Sequence, residues 1–517
     1  MRKRKPQAYL YEFVRLMSKD EKRYFTQMVK KGSGGRNHLG LRLFKLINDN
    51  LLKDNEEIDK KITFTKNKSK LKNSLYNQLL EITSNYSLEK SLYPKLRIQL
   101  NKIDLLYNRG MHKATLKLVD STIKQAESIE ANKILVELYE YKMNLLQHQN
   151  ASIEDSHKYS KKGREAMEKA EAEFESYKLL TDAFVINRIL GVRKNKKYDK
   201  YYEKLHEKAK QIENSASSFK TKYYINSLNS SFYTYHGNEI EGLKAVEKTY
   251  LLFEESPLLK KYNTRSYNTT LNNYGVSKLN IKDYVGAIDL FNKMITNGLS
   301  NYDKMSVFQF RASNQLSAYI ALGDLQTAAK FVKEIEVDLP KYERYFTDLF
   351  KVVIFINLSE FYFWRKEFSK AKLYINRLIN ESYTNVRRDI VRFAYTFNLI
   401  ICFESGDFTY LQYLLNNFKT TKKLKNKTIT ETWILHFMEE VLKRTNLTPS
   451  FYIKKEIELL NRVLKYGKSP KSINLISFDF LFWMRIKSDH RTFKEIRKEI
   501  NTKELSVYVK DRIRQLS

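Results

Sequence analysis

The sequence has little of three residue types that shape many folds: one cysteine, six prolines and 15 glycines among 517 residues. The single cysteine, Cys402, excludes an internal disulfide framework and is typical of a reducing compartment. The prolines all lie between segments of apolar periodicity, where helices begin or end. Together with the few alternating apolar and polar patterns, this scarcity predicts an all-α protein.

Long apolar segments are also missing. The longest, residues 352–358 and 476–484, are too short or too charged to span a bilayer. The first residues are basic, but Glu12 and Arg15 interrupt the apolar segment that a secretory signal would need. We therefore expect no membrane partner and a cytoplasmic location.

Acidic residues are scarce relative to basic ones. The chain has 93 lysines and arginines against 59 aspartates and glutamates, a formal net charge of +34. Such an excess attracts polyanions and acidic surfaces, so RNA, DNA or an acidic protein is the expected partner. The simpler alternative is a basic protein whose charge serves only solubility.

Residues 1–92 are predicted to form a basic helical domain. Ser18 and Glu21 have the spacing of a capping box, in which each side chain accepts a hydrogen bond from the other's backbone N–H. The helix that follows should run to about Lys30. A DNA-binding bundle is one interpretation, and a cap on a stack of repeats is the simpler one.

Residues 93–445 contain a repeated pattern of two helices joined by a short turn. A small residue is expected to open each second helix, and the candidates for successive openers lie about 40 to 45 residues apart, a helical-repeat period. The openers are Ala114, a poorly defined unit near His157, Tyr201, Gly242, Ala287, Ala328, Ala371 and Leu411. Similar turns precede several of them, at residues 196–198, 282–284, 323–325, 366–368 and 406–408.

In this region the chain resembles the tetratricopeptide-repeat (TPR) family, most strongly in residues 267–340. The residues that carry the resemblance are Gly275, Tyr284, Ala287 and Phe291, then Tyr319, Gly323, Leu325, Ala328 and Pro340, which ends the second unit. The resemblance implies a right-handed superhelical stack of antiparallel helix pairs, a TPR-like α-solenoid. It also implies a concave groove, lined by first helices, that holds a protein or peptide.

The chain departs from the family pattern in two ways. Leu271, Ala312 and Phe355 stand where the family has a tryptophan in the first helix, and the period exceeds the family's roughly 34 residues. The Lys and Asn pair with which some members clamp a carboxylate is absent from the matching positions. Residues 446–517 are predicted to be C-terminal capping helices, with Trp483 on an apolar face.

Candidate partner-binding residues are the arginines of the predicted first helices and a lysine run that contains no acid. Arg388 and Arg392 are one helical turn apart and should share a face. The complete set is Arg265, Arg311, Arg388, Arg392, Lys419, Lys422, Lys423, Lys425 and Lys427. If first helices line the groove, these side chains make it partly cationic; otherwise they form a solvated face.

Enzyme and cofactor signals are missing from the sequence. There is no HExxH or GxSxG motif, no paired cysteine and no pair of histidines at helical spacing, so we expect no catalytic residue, metal or cofactor. No small-molecule substrate is evident. Tyrosines stand among lysines at positions 198, 201, 202, 223 and 224, which suits base stacking, although packing between helices is the simpler interpretation.

The sequence therefore predicts a non-enzymatic helical-repeat scaffold whose basic surface binds an anionic partner, a nucleic acid or a nucleoprotein assembly. The alternative is a protein- or peptide-binding adaptor, or a regulator in which a ligand tightens the superhelix. Salt-sensitive binding to nucleic acid would favour the first function. A single stoichiometric protein partner that survives nuclease treatment would favour the second.

Overall fold

In the computed structural model, the described part of the chain consists of helices joined by turns and loops, and none of those residues forms a strand. The described residues are 7–32, 38–90, 92–148, 151–190, 196–214, 217–380, 388–420, 429–444, 446–466, 480–489, 491, 493–502 and 505–516. The all-α prediction is confirmed. Within these residues, no helix combines the length and the apolar character needed to cross a membrane.

The helices of the first half of the chain vary from one and a half turns to more than ten. They are α1 (Gln7–Leu16), α2 (Lys19–Gly32), α3 (Leu39–Asn48), α4 (Asn55–Lys60), α5 (Lys68–Lys90), α6 (Leu92–Asn108), α7 (His112–Ser128), α8 (Asn132–Leu146), α9 (Ile153–Leu190), α10 (Lys196–Glu213), α11 (Phe219–His236), α12 (Glu239–Glu254), α13 (Pro257–Tyr262) and α14 (Thr264–Asn280).

The described residues of the second half continue in the same way, and they include a π-helical segment (Arg311–Gln315) and a 3₁₀ turn (Glu343–Tyr345). Its helices are α15 (Tyr284–Asn292), α16 (Asn301–Phe310), α17 (Leu316–Leu322), α18 (Leu325–Tyr342), α19 (Asp348–Trp364), α20 (Phe368–Asn380), α21 (Arg388–Glu404), α22 (Phe408–Thr420), α23 (Ile429–Leu442), α24 (Pro449–Tyr466), α25 (Phe480–Ser488), α26 (Phe493–Thr502) and α27 (Leu505–Leu516).

The chain divides into two compact units. The first contains Met1–Ser277 and Met294–Lys304, and the second contains Lys278–Lys293 and Met305–Ser517. Within each unit, helices that follow one another along the chain pack together, as α11 does on α12 and α19 on α20. The three-part division that the sequence suggests, with boundaries near residues 92 and 445, stays a prediction.

The N-terminal helices α1, α2, α3 and α5 share one apolar core. The capping box at the start of α2 is confirmed: the Ser18 N–H donates to the Glu21 carboxylate at 2.6 Å, and the Glu21 N–H donates to Ser18 Oγ at 3.2 Å. Buried Leu10, Phe25 and Leu79 lie in the core that these helices enclose. Local capping and core packing therefore agree in this segment.

Four of the predicted turns have one common geometry. Each contains a residue in the left-handed region, and the N–H of the next residue donates to the carbonyl five residues earlier, which closes the preceding helix. The left-handed residues are Lys282 (φ 65°), Gly323 (φ 85°), Lys366 (φ 61°) and Gly406 (φ 72°). Because these turns lie where the sequence puts them, the repeated turns at 282–284, 323–325, 366–368 and 406–408 are confirmed.

At three of these turns, an aspartate side chain caps the N-terminus of the second helix. Asp283 accepts a hydrogen bond from the Gly286 N–H at 2.9 Å, and Asp324 accepts one from the Thr327 N–H at 3.0 Å. Asp407 accepts from Tyr410 in the same way. Each bond satisfies a backbone donor that the helix itself leaves unpaired.

The predicted openers Ala287, Ala328 and Ala371 are completely buried, as close helix packing requires. Two earlier openers are wrong by one residue. Ala114 is exposed beside buried Thr115, and Tyr201 is exposed beside buried Tyr202. A shift of one residue rotates the face of a helix by 100°, so a small error in register exchanges its exposed and buried sides.

Three other predictions are corrected. Residues 196–198 form the first turn of α10 rather than a connecting turn. The poorly defined unit near His157 is instead the start of one continuous helix of 38 residues, α9. Pro340 does not end its helix, because α18 continues to Tyr342. A proline in the last turn removes only one internal hydrogen bond, so the helix tolerates it there.

Candidate anion-binding groove

Most of the predicted lysine run lies outside the described residues. Lys422, Lys423, Lys425 and Lys427 fall in the segment 421–428, which the structure does not describe. Lys419 belongs to α22 and Arg388 begins α21, but their side chains are also outside the described part. The binding role of these residues stays a prediction.

Arg265 belongs to the first unit and is already engaged there. Its Nε lies 2.7 Å from Oδ1 of Asp303, and its guanidinium lies 4.6 Å from the ring centroid of Tyr302. The side chain is still more than half exposed. A partner could reach this arginine, but it would share the cation with a carboxylate.

Arg311 and Arg392 belong to the second unit and contact different groups. Arg311 donates from Nε to Oε1 of Gln315 at 2.7 Å, inside the π-helical segment. Arg392 lies 3.2 Å from both carboxylate oxygens of Glu431, and the two side chains are only 13 % and 1 % exposed. A buried carboxylate needs such a counter-charge. Arg392 therefore belongs to an internal ion pair rather than to an exposed binding surface.

A different set of cations surrounds a groove formed by α10, α11 and α12. Two adjoining cavities, of about 150 Å³ and 200 Å³, share Glu213, Asn226 and Lys248 as lining residues. We call their combined lining the lysine groove. Its lining residues are His206, Lys210, Glu213, Lys222, Ile225, Asn226, Asn229, Tyr233, Glu241, Lys244, Ala245 and Lys248.

Helical periodicity brings the lysines to the groove. On α12, Lys244 and Lys248 are one turn apart and flank buried Ala245, so they project beside the packing face. On α10, Lys210 follows buried His206 by one turn. Helix α10 is placed by buried Tyr202, Leu205 and Ala209, which share an apolar core with α11, and α12 packs closely on α11.

Gly242 explains how closely α11 and α12 approach. A Cβ atom at this position would lie 2.9 Å from Oγ1 of Thr234 on α11, which is too close for an ordinary contact. The prediction of Gly242 as a small opener of its helix is therefore confirmed. Close packing here fixes the wall of the groove that carries Lys244 and Lys248.

The floor of the lysine groove is a buried histidine and asparagine. Nδ1 of His206 lies 3.1 Å from Oδ1 of Asn229, and the imidazole stacks on Phe232 with ring centroids 4.0 Å apart. Burial lowers the pKa of His206, and the positive charge of Lys210 lowers that pKa further, while the hydrogen bond to Asn229 opposes the shift. The ring is therefore neutral at pH 7, and the lysines supply the positive charge.

The lining of the lysine groove contains more lysines than carboxylates. Lys244 is paired with Glu241 at 2.7 Å, and this hydrogen bond raises the pKa of Lys244. Lys210, Lys222 and Lys248 form no ion pair within the described part of the chain. Three ammonium groups around a polar floor can coordinate the oxygens of a phosphate or carboxylate through charge-assisted hydrogen bonds.

Sequence reasoning missed this groove, since the lysines come from three helices. The available signal was the spacing of Lys244 with Lys248 and of His206 with Lys210. Among the tyrosines that the sequence places beside lysines, Tyr202 is fully buried and donates to Ser231 Oγ at 2.7 Å, as the packing interpretation expects, whereas Tyr201 is 46 % exposed.

Cys402 is fully buried, and burial raises the pKa of its thiol to about 11, so it stays a protonated, unreactive thiol at pH 7. Among the described residues, no group of three or more His, Cys, Asp or Glu side chains is placed to hold a metal ion.

Comparison of the chain with protein-family models, curated proteins and solved structures finds no match. The TPR resemblance therefore stays a prediction.

Proposed function

We propose that this chain is a non-enzymatic binding scaffold that holds an anionic partner, a nucleic acid or a nucleoprotein assembly, on a basic surface that includes the lysine groove. The observation that carries the proposal is the set of lysines without ion-pair partners among the described residues, around the neutral His206 floor. The net charge of +34 supports it, because a polyanion gains from every additional cation near its path.

A further part of the proposal concerns architecture. We propose that the helix pairs of residues 93–445 stack as a TPR-like, right-handed α-solenoid. The recurrence of one turn geometry and the packing of consecutive helices within each unit support this arrangement. A stack of this kind would present neighbouring helices side by side and give an extended partner a continuous surface.

The test is direct binding with a matched control. In one variant, Lys210, Lys222 and Lys248 are replaced by glutamine. In the control, three exposed lysines of α7 are replaced instead, so that both variants lose the same charge from the same unit; these are Lys113, Lys117 and Lys124. Fluorescence anisotropy with labelled single-stranded RNA and duplex DNA is measured at several salt concentrations.

We expect the groove variant to bind roughly tenfold more weakly and to show a shallower salt dependence, because fewer counterions are released. The control should lose much less affinity. Equal losses in both variants would remove the groove from the proposal. Absence of salt-sensitive binding by the nuclease-treated wild-type chain would refute the nucleic-acid function, and a single protein partner recovered under those conditions would support the adaptor alternative.

A further inference from the structure

The long helix α9 carries a row of apolar side chains that face solvent. Met167, Phe174, Tyr177 and Phe184 are each 53 % to 58 % exposed, although the ring centroid of Tyr177 also lies 5.3 Å from that of Tyr224. Single exposed apolar residues are ordinary, but four on one helix form a continuous patch. Such patches mark interaction surfaces in soluble proteins.

The spacing of this row is that of a coiled-coil seam. When Ala170 and Thr181, which lie between these residues on the same face, are included, the steps alternate between three and four residues, which is the pattern of heptad positions a and d. We call them the α9 stripe: Met167, Ala170, Phe174, Tyr177, Thr181 and Phe184. A second seam on the same helix, which includes Ser176 and Ala183, is buried within the first unit, so α9 has one used and one unused packing face.

We propose that the α9 stripe binds the α9 stripe of a second copy of this chain, with the two helices antiparallel. Pairing position a with position d places Phe174 opposite Tyr177 of the second copy. In the same register, Met167 lies opposite Phe184, and the small residues Ala170 and Thr181 meet. Two layers of large side chains therefore flank the two-fold axis, and the interface is self-complementary, as two-fold symmetry requires.

Charge complementarity favours this occupant and this direction. Glu171 and Lys178 occupy the exposed flank of the stripe, at heptad position e. In an antiparallel pair, Glu171 lies opposite Lys178 of the second copy, and symmetry produces the contact twice. A parallel pair would need the other flank, which contains Glu173 and Leu180, but both of these side chains are buried within their own unit.

The first test measures oligomeric state by sedimentation equilibrium of the full chain after nuclease treatment. The wild-type chain should dimerise, and Phe174→Glu should raise the dimer dissociation constant at least roughly tenfold. Leu373→Glu is the matched control, because Leu373 on α20 is also 58 % exposed. A wild-type chain that stays monomeric at about 100 μM would overturn the proposal and leave the stripe to a helix of another protein.

The second test uses charge reversal, which leaves the apolar stripe intact. Glu171→Lys alone and Lys178→Glu alone each bring like charges together twice and should weaken the dimer by roughly tenfold. The double variant restores opposite charges and should recover the wild-type constant to within about threefold. Failure of the double variant to recover, with circular dichroism showing intact helices, would overturn the antiparallel pairing.

Discussion

The lysine groove and the C-terminal helices use basic side chains in opposite ways. In the second unit, helices α24 to α27 contain arginines that are buried and paired: Arg512 donates to Glu456 at 2.9 Å, and Arg485 donates to Glu499 at 2.8 Å. In the first unit, lysines of α10 to α12 surround an open cavity with too few carboxylates to neutralise them.

The difference teaches how to separate structural from functional charge in a strongly basic protein. A buried arginine with bidentate geometry stabilises the fold only while its carboxylate is present. A solvated lysine without a partner contributes little to folding and remains available to bind an anion. Composition alone cannot distinguish the two, because both raise the net charge equally. The following substitutions test this distinction.

The largest effect is expected at the buried pair. Glu456→Gln removes the carboxylate that pairs with Arg512, and both side chains are more than 90 % buried. We expect a loss of about 3–5 kcal/mol in the free energy of unfolding, measured by urea denaturation. Glu241→Gln, which removes the exposed partner of Lys244, is the control and should cost less than about 1 kcal/mol. Similar losses for the two variants would contradict the distinction.

Acid should weaken the C-terminal helices next. Hydrogen bonding from Arg491 holds the pKa of Asp489 well below its usual range, so the folded state keeps this carboxylate charged in mild acid. A depressed pKa in the folded state stabilises the protein above the unfolded-state value of about 4, and that stability is lost as the pH falls below it. Urea denaturation between pH 7 and pH 2 should show this loss.

The matched variant for the acid experiment is Asp489→Asn. It should be less stable than the wild-type chain at pH 7, because Arg491 loses one of its two ionised partners in the described part of the chain and keeps Glu499 at 2.9 Å. The difference between the two proteins should shrink toward pH 2, because the unfolded wild-type chain binds a proton at this carboxyl below about pH 4 while the folded chain does not. A constant difference across the whole pH range would show that Asp489 acts by packing rather than by charge.

One lysine, Lys366, lowers the stability of the fold through its backbone conformation. Lys366 has a left-handed backbone conformation (φ 61°) that disfavours every residue with a Cβ atom, while its side chain faces solvent. Lys366→Gly should therefore stabilise the protein by about 0.5–1 kcal/mol, after the entropy that glycine adds to the unfolded chain. Thermal and urea denaturation would both detect this change.

The reciprocal control is Gly406→Ala. Gly406 has φ 72° at the corresponding turn, and a Cβ atom would meet nothing within 4 Å there. The substitution therefore changes stability only through the free-energy cost of a left-handed backbone conformation. We expect a loss of about 1 kcal/mol. If both variants were destabilising, a contact of the Lys366 side chain would have to outweigh its backbone strain.

Local features of the fold were predictable because their causes are local. The turn at Gly323 follows from one residue that tolerates positive φ and the capping side chain after it. The length of α9 was missed, since a continuous helix differs from two helices only by the absence of a turn signal. The lysine groove was missed for a different reason. Its lysines are separated along the sequence, and only tertiary packing brings them to one cavity.

The smallest effect on stability is expected from removing the groove lysines. Replacing Lys210, Lys222 and Lys248 by glutamine removes three like charges that line adjoining cavities and have no ion-pair partner in the described residues. The free energy of unfolding should change by less than about 1 kcal/mol, and an increase is the expected direction, because mutual repulsion is relieved. The same variant should lose most of the groove's affinity for a polyanion. A large loss of stability would mean that these lysines hold the helices together, and the contrast with Arg512 would then fail.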